Sequence, residues 1–526
     1  MNILDDFTIC HLKHNSLDKY NLNGLQSNNC FYSNKLNYVI GSSCLFKNKR
    51  SNYNIYNTFV KNDGHSIYAH SDYWGIYPLY YFNNDDIFIL SNNIYSIKHL
   101  LNNRHYLKAD KNSFFDYLFF NFPLKNKTWF EDIKCLESNN ELKYCIDNKY
   151  PIINKLNIDS NINIILNDNI MEAITNYFET LFDLRNEIGL SISAGSDSRT
   201  LLSCLRYFDI KHRLFCFGRD NYAEYLDIKK FLKELGETLE YIKLSDNTDE
   251  YEYILEHAIV QSNGLINPFR VHYYDYYNKL PDNIYLMEGI LGSEFVKGEI
   301  SCPTMTSYPV KELLFYKYNI SNIVKNRFYF LSPDERINMT DYLLNEYNPY
   351  IQCINDQDIT HLYAKYLFNT LPAKVFGGLI QIAARKLYPI YPFLDMGILS
   401  SIFKNGYGIL HYSSFSNNFP GPIKCLIPEA LIVKKTDRKI YNQVLDRKIS
   451  FSDAFNILAP MKKKLRCIPL NIFPNRHLFY GQIDNKPTKE KIREIIINDH
   501  FYNYHINDDN NIILWYYNKV LSVLLQ

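Results

Sequence analysis

The chain has 526 residues, of which 46% are hydrophobic and 21% charged, a composition typical of a globular protein with room for two domains. Its formal net charge of +1 gives no electrostatic reason to expect binding to nucleic acid or to a membrane surface. The 11 cysteines include no C-x-x-C pair, which argues against a disulfide framework or zinc site and predicts a cytoplasmic protein. The acidic N-terminus does not read as a signal peptide, and no apolar run is long enough to predict a membrane span.

The first 150 residues predict a β-rich sandwich. Short aromatic or alternating runs are separated by clusters of Asn, Gly, Asp and Ser, which is typical of strands joined by turns. The clearest runs cover residues 36–40, 66–70, 78–82 and 87–91. Residues 147–165, which are rich in Asn, Ile and Asp, read as a linker.

From residue 166 to residue 526 the pattern changes to alternating strands and helices. Predicted strands cover 188–192, 213–218, 240–244 and a run that starts at 284, and predicted helices cover 170–184, 200–208, 223–235 and 396–403. This alternation predicts an α/β domain with a parallel sheet and crossover helices. In such sheets ligands bind at the carboxyl ends of the strands.

The most informative stretch is the loop 193–198 (SAGSDS), which joins the first of these strands to its helix. Small residues at a helix N-terminus expose backbone N–H groups, which form an anion site. Asp197 and Ser198 could instead be helix caps, with Gly195 making the turn. However, a helix N-terminus needs only one capping residue, and this loop offers several. Arg199 also places a positive charge in the first helical turn, where the helix dipole disfavours a cation unless an anion lies nearby.

Two N-terminal segments resemble the class II glutamine amidotransferase domain of asparagine synthetases. Residues 72–81 (DYWGIYPLYY) resemble its D-x-x-G-x-x-P-L-Y-Y hairpin, and residues 121–136 resemble its closing segment. A working glutaminase of this class needs an N-terminal Cys whose own α-amino group is the base. Position 2 is Asn, and Cys10 lies inside the chain. Residues 1–150 are therefore interpreted as a degenerate amidotransferase-like domain.

Two loops of the second half resemble the asparagine synthetase-like family in the same order. The loop 193–198 is similar to the family's S-G-G-x-D-S, and 289–294 (GILGSE) is similar to its G-x-G-G-D-E-like loop. Ser293 stands where an Asp often helps to hold Mg²⁺. The resemblance implies an ATP-pyrophosphatase-type synthetase domain over residues 166–526, with ATP and Mg²⁺ as cofactors. A Gly-containing turn after a buried strand would explain the second loop without any chemistry.

The resemblance also implies roles for individual residues. Those expected to bind the nucleotide are Ser193, Gly195, Asp197, Ser198, Phe217 and Gly289. Asp197 and Glu294 are expected to hold Mg²⁺, because this ion prefers carboxylate and phosphate oxygens. Phe217 could border an adenine, although ordinary core packing explains it equally well.

A basic segment, 428–439, is expected to form a loop whose lysine meets the leaving pyrophosphate. Lys435 fits the family's spacing if one residue is missing, Lys439 fits if the loop is longer, and Arg438 is a third choice. A solvated run of charges is the alternative. Asp395, in a P-F-L-D segment, is interpreted as a helix cap.

The implied function is an ATP-dependent synthetase that adenylates a small-molecule or peptide carboxylate. The acyl group then passes to ammonia or an amine, without glutaminase activity in this chain. A non-catalytic binding or scaffold subunit is the alternative, motivated by Ser293 and the missing nucleophile. A third option is an ATP pyrophosphatase-type enzyme with another acceptor, such as a nucleotide base. Neither nucleic acid nor membrane is an expected partner, and a homodimer is compatible with the interpretation.

Overall fold

The structure is a computed structural model. It describes residues 8–12, 36–41, 57–63, 65–101, 107–147, 150–155, 169–181, 187–218, 223–245, 247–298, 307–315, 319–356, 367–409, 424–446, 448–456, 458–459, 461–462 and 509–525. The fold is mixed α/β, with antiparallel sheets in the N-terminal part and a five-stranded parallel sheet with many helices after it.

Within the described residues, nine strands of the N-terminal part form two antiparallel sheets. They are β1 (Thr8–Leu12), β2 (Leu36–Gly41), β3 (Asn57–Asn62), β4 (Ser66–His70), β5 (Tyr80–Asn83), β6 (Ile87–Ser91), β7 (Ile133–Cys135), β8 (Asn140–Cys145) and β9 (Pro151–Lys155). One sheet has the order β1-β6-β5-β7 and the other β2-β3-β4-β8-β9. The rings of Phe88 and Tyr144 stack with centroids 3.9 Å apart and connect the two sheets.

The strands predicted at 66–70 and 87–91 are confirmed to the residue. The linker prediction is wrong over Pro151–Lys155, which forms the edge strand β9. Its composition hid the strand, because an edge strand accepts a Pro at its first position and exposes most of its side chains. The rest of the predicted linker lies largely outside the described residues.

The parallel sheet consists of β10 (Ile188–Ser191), β11 (His212–Gly218), β12 (Leu239–Lys243), β13 (Tyr285–Met287) and β14 (Tyr388–Ile390). Its order is β12-β11-β10-β13-β14. The chain therefore adds β11 and β12 on one side of β10, and then crosses over to add β13 and β14 on the other side. Ligands in sheets of this kind bind in the crevice where the strand order reverses, outside the carboxyl ends of the strands. Here that crevice lies between the loops that follow β10 and β13.

The helices cover the sheets and join the two parts of the chain. They are α1 (Ile94–Leu101), α2 (Lys111–Phe120), α3 (Ile170–Leu181), α4 (Ser196–Tyr207), α5 (Ala223–Leu235), α6 (Thr248–Gln261), α7 (His272–Lys279), α8 (Tyr308–Phe315), α9 (Ile320–Arg327), α10 (Pro333–Asp356), α11 (Gly377–Ala384), α12 (Met396–Lys404), α13 (Ile427–Thr436), α14 (Arg438–Asn442) and α15 (Asp509–Leu525). The helix predicted at 223–235 is confirmed to the residue. Asp395 caps α12 as expected, because its Oδ1 accepts the N–H of Ile398 at 2.9 Å.

One helical stretch, Leu367–Ala384, is long and apolar enough by length and composition to cross a membrane. It is 67% buried inside the fold. That burial is typical of a core helix, whose apolar surface is already covered by other elements.

Trp74 connects the N-terminal sheets to the parallel-sheet part. Its indole N–H donates to the carbonyl of Leu394 at 3.2 Å. Its ring lies 5.7 Å from that of Phe295 and 5.1 Å from that of Phe368. The loop after β4 therefore packs directly on the segment that follows β13.

Asn263 makes a second connection between the two parts. Its Oδ1 accepts the N–H of Ile94 at 2.8 Å, and its backbone carbonyl accepts the indole N–H of Trp129 at 2.8 Å. Its Nδ2 donates to the carbonyl of Asn92 and to Oε1 of Gln381. Asn263 is buried, so water could not satisfy its hydrogen-bond partners if the side chain were removed.

We predict that Asn263→Ala destabilises the protein by about 2 kcal/mol more than Asn283→Ala. Both residues have positive φ angles, 54° and 58°, so both variants carry the same backbone cost. Only Asn263 is buried, so only its replacement leaves buried polar groups without a hydrogen-bond partner. Urea unfolding of the two variants measures the difference. Equal losses would show that backbone conformation alone accounts for the effect.

Candidate functional site at the reversal of strand order

The loop after β10 folds back on itself through its serine hydroxyls. Ser198 Oγ accepts the N–H of Ser193 at 3.0 Å and lies 3.0 Å from Ser193 Oγ. Ser193 Oγ in turn accepts the N–H of Gly195 at 3.2 Å. Gly195 is the N-cap of α4 and makes no side-chain capping bond. Asp197 and Ser198 are therefore not the caps of this helix, and the carboxylate of Asp197 is available to other partners.

The loop after β13 approaches Asp197 very closely. Its two glycines make this approach possible: a Cβ at Gly289 would lie 2.8 Å from Cβ of Asp197, and one at Gly292 would overlap Oδ1 of Asp197. A π-helical turn, Gly292–Val296, then continues the chain. The family resemblance predicts that these two loops form one site, and the structure brings them into contact.

Lys297, which follows this π-helical turn, carries the ammonium group that joins the two loops. Its Nζ donates to Ser196 Oγ at 2.7 Å and lies 3.3 Å from each carboxylate oxygen of Asp197. Ser293 Oγ donates to Asp197 Oδ2 at 2.9 Å. Only 6% of Lys297 is exposed, so the ion pair is shielded from solvent. Sequence analysis missed Lys297, because a single lysine beyond a Gly-containing loop has no distinguishing pattern.

Two further buried carboxyls belong to the same cluster. Burial and the negative charge of Asp197 together raise the pKa of Glu294 to about 7. Burial also raises the pKa of Glu429, in α13, well above its usual range, against the opposing charge of Lys297. Glu429 Oε2 lies 4.0 Å from Lys297 Nζ. The side chains of Asp197 and Ser196 also lie next to the carboxyl group of Glu429.

The predicted Mg²⁺ ligands are close together but are not arranged as a metal site. Asp197 and Glu294 are near enough to interact electrostatically. Asp197 is nevertheless engaged by the ammonium of Lys297 and the hydroxyl of Ser293. Among the described residues, no group of three or more His, Cys, Asp or Glu side chains is placed to hold a metal ion. The residues as arranged do not fit a protein-held Mg²⁺.

Phe217 lies near the carboxyl end of β11, where the sequence predicted a border for adenine. Its ring packs against the aromatic residues of α7, with centroids 4.3 Å from Tyr276 and 5.2 Å from Tyr273. Phe217 is partly buried. The adenine contact stays a prediction.

The basic segment 428–439 is helical, so the loop prediction is wrong there. It forms α13 and α14, which are separated by Asp437. Residues 429–431 and 434–435 are good helix formers. The side chain of Asp437 caps α14 by accepting the N–H groups of Lys439 and Ile440. The run of charges suggested a loop, but tertiary packing of the apolar face of α13 decides the conformation.

The structure does not bring Lys435 or Lys439 to the first loop. Helices α13 and α4 run side by side in the same direction, because Glu429 lies beside Asp197 and Thr436 Oγ1 lies 2.8 Å from Ser203 Oγ. At about 1.5 Å per residue, Ser203 is roughly 9 Å along α4 from Asp197. Both lysines therefore lie toward the far end of α4.

A different basic segment lies against the first loop. The N–H of Asp446 donates to the carbonyl of Ala194 at 3.1 Å, and the following turn closes with Leu445 N–H donating to Ile449 O at 2.7 Å. Lys448 occupies this turn with a φ of 58°. Sequence analysis missed it, because only the capping box that follows, made by Ser450 and Asp453, marks the position.

Arg199 has partners within the protein, so its position does not require a bound anion. Its Nη1 donates to the carbonyl of Val444 at 2.9 Å, and its guanidinium lies 4.2 Å from the ring centroid of Phe231. The inference of an anion from Arg199 alone is corrected by these contacts. The residue instead anchors the turn that carries Lys448.

Glu288, at the end of β13, is a buried carboxyl that the sequence did not point to. Its oxygens accept hydrogen bonds from Ser191 Oγ at 3.2 Å and from the hydroxyl of Tyr277 at 3.0 Å. Burial raises the pKa of Glu288 to about 7 despite these bonds. The group connects β10, β13 and α7 directly beneath the two loops.

Comparison with known proteins adds no assignment. No family model matches the sequence, and no curated protein matches it. The interpretation of this site therefore depends on its geometry and on the motif resemblance.

We predict that Gly292→Ala lowers stability by about 2 kcal/mol, because the added methyl group overlaps Asp197 and must separate the loops. Gly195→Ala is the matched control: its φ of −72° suits any residue, and the nearest obstacle is the movable Ser193 hydroxyl at 3.2 Å. It should cost less than about 1 kcal/mol. Thermal unfolding of both variants measures the contrast, and a harmless Gly292→Ala would contradict the close approach.

We predict that Glu288→Gln changes how stability depends on pH. Because the pKa of Glu288 is raised from 4.5 to about 7 on folding, the unfolded chain loses this proton first as pH rises. The free energy of unfolding of the wild-type protein therefore falls by up to about 3 kcal/mol between pH 4.5 and 7 because of this group, and the variant does not show this decrease. Urea unfolding at pH 5 and pH 8 measures this, with the exposed Glu172→Gln as control. Parallel pH profiles for wild type and Glu288→Gln would contradict the buried carboxyl.

Proposed function

We propose that this protein is an ATP-dependent amide-forming synthetase of the asparagine synthetase-like type. The observation that carries the proposal is the meeting of the two motif-bearing loops at the reversal of strand order, through the Asp197–Lys297 ion pair. This is where open parallel sheets bind nucleotides. The resemblance of both loops to those of one family, in the same order, supports the same conclusion.

The proposed reaction has two steps. An oxygen of the substrate carboxylate attacks the α-phosphorus of ATP, the bond to the bridging oxygen breaks, and pyrophosphate leaves. An amine nitrogen then attacks the acyl carbon of the acyl-adenylate, AMP departs with the bonding electron pair, and the amine loses a proton. Negative charge develops on the phosphates in the first step, so fixed cations and N–H donors there accelerate it.

This chain supplies such groups around the first loop. Ser193, Gly195 and Ser198 would lie at the pyrophosphate, next to the N-terminus of α4. Lys448 is the better placed candidate to meet the leaving group, because its turn is hydrogen-bonded to Ala194. Lys435 and Lys439 would have to move along α4 to take that role.

The N-terminal part fits a degenerate amidotransferase-like domain. Two antiparallel sheets suit that class, and the 72–81 hairpin resembles it. Cys10 lies within β1, where it pairs with Ile89 of β6, so it has no free α-amino group to act as a base. The amine would therefore be free ammonia, ammonia from a partner, or an amino group of a substrate.

One observation favours the alternative, a non-catalytic binding or scaffold subunit. The carboxylate of Asp197 is neutralised by Lys297, which leaves it with less charge to attract a metal–nucleotide complex. ATP binding separates the two proposals, because a scaffold has no need to retain it.

We predict that wild-type protein binds ATP in calorimetric titrations with Mg²⁺ present. Lys448→Ala should weaken binding about tenfold, as expected for the loss of one charge-assisted contact worth about 1.4 kcal/mol. Lys325→Ala, at an exposed position on α9, is the control and should bind as wild type does. Lys435→Ala and Lys439→Ala test the other two lysines. A tenfold loss of ATP affinity in either variant would assign the contact with pyrophosphate to α13 or α14 instead.

The synthetase proposal has a second test. With a suitable acid, the protein should exchange pyrophosphate into ATP, and Asp197→Ala should abolish the exchange. The absence of detectable ATP binding by wild type would contradict the synthetase and favour the scaffold. Exchange that survives Asp197→Ala would overturn the site assignment.

A further inference from the structure

We propose that Lys297 is a built-in cation that takes the place of a protein-held divalent metal, so that ATP binds at this site without a metal ion. This inference rests on the proposed ATP site and specifies how that site is neutralised. The family resemblance implies Mg²⁺ between the two loops, and the arrangement of the side chains there disagrees with it.

The ammonium occupies the position that such a metal would need. Lys297 Nζ lies 3.3 Å from each oxygen of Asp197 and 4.0 Å from Glu429 Oε2, and it donates to Ser196 Oγ at 2.7 Å. Mg²⁺ binds carboxylate oxygens at about 2.0–2.1 Å in near-octahedral geometry. An ion on Asp197 would therefore lie within about 5 Å of a buried ammonium, where like charges repel strongly.

The surroundings show that a cation is required here. Glu429 is fully buried and lies next to Asp197. Glu294 is buried beside Asp197 as well. The negative charge of Asp197, with that of Glu294 whenever it is ionised, would repel a polyphosphate at the proposed site, so some positive charge must offset it. Lys297 supplies it from within the chain.

Lys297 is also fixed in place by the backbone around it. Its N–H donates to the carbonyl of Gly292 at 3.0 Å, which closes the π-helical turn. Gly298, the next residue, has a φ of 65°, and a Cβ there would lie 3.1 Å from the backbone of Gly408. The ammonium is therefore held by a short, tightly packed segment, and it is present before any ligand arrives.

The first experiment measures ATP binding to wild-type protein by calorimetry, once in excess EDTA and once in excess Mg²⁺. We expect dissociation constants that differ by less than about threefold. Binding in Mg²⁺ only would overturn the role of Lys297 and leave the synthetase proposal standing. Binding in neither condition would overturn the synthetase proposal itself.

The second experiment replaces the cation. Lys297→Met should weaken ATP binding in EDTA at least tenfold and recover most of it in Mg²⁺, because the metal then fills the vacated position. Lys297→Arg keeps the charge and should remain independent of metal. Lys325→Met, on exposed α9, is the matched control and should behave as wild type does. An unchanged affinity of Lys297→Met in EDTA would overturn the proposal.

A third measurement needs no variant and so remains decisive if Lys297→Met does not fold. Mn²⁺ binding to the nucleotide-free wild-type protein is followed by electron paramagnetic resonance. We expect no stoichiometric site. One tightly bound Mn²⁺ per chain that Mg²⁺ displaces would overturn the proposal.

Discussion

The ion pair between Asp197 and Lys297 is the interaction on which the rest of the site depends. It joins the loop after β10 to the segment after β13, across the one place where the strand order of the parallel sheet reverses. The ion pair is buried, so its strength depends on further hydrogen bonds to both charged groups. Ser196 accepts a hydrogen bond from Lys297, and Ser293 donates one to Asp197. Gly289 and Gly292 leave the space that this pair needs, and Glu288 links β13 to β10 and α7.

Much of the fold was predictable, because its signals are local. The β4 and β6 strands and the helix α5 follow from alternation and periodicity within a few residues, and each ends where the sequence predicts. Strand–helix alternation likewise predicts the parallel sheet. The prediction failed where a local signal was misleading: the charges of 428–439 indicated a loop, although the segment is helical.

The site was predictable only in part, because its chemistry is assembled from distant segments. The small residues of the first loop identify it, but Asp197 meets Lys297 from 100 positions away and Glu429 from α13. No spacing rule reports such encounters. The turn that carries Lys448 is joined to the loop by a backbone hydrogen bond from Asp446, and almost any residue can make such a bond. Arg199 shows the converse error, since a cation in a first helical turn found its partners inside the protein.

Trp74 of the N-terminal part covers aromatic side chains of the parallel-sheet part. Its ring covers Phe295, two residues before Lys297, and Phe368 as well. A chain relieved of its first 150 residues would uncover this aromatic surface, and exposed apolar patches of that kind promote self-association. The N-terminal sheets thus shield this surface whether or not they carry out any chemistry of their own. Selection for such a cover would act on the side chains along this contact.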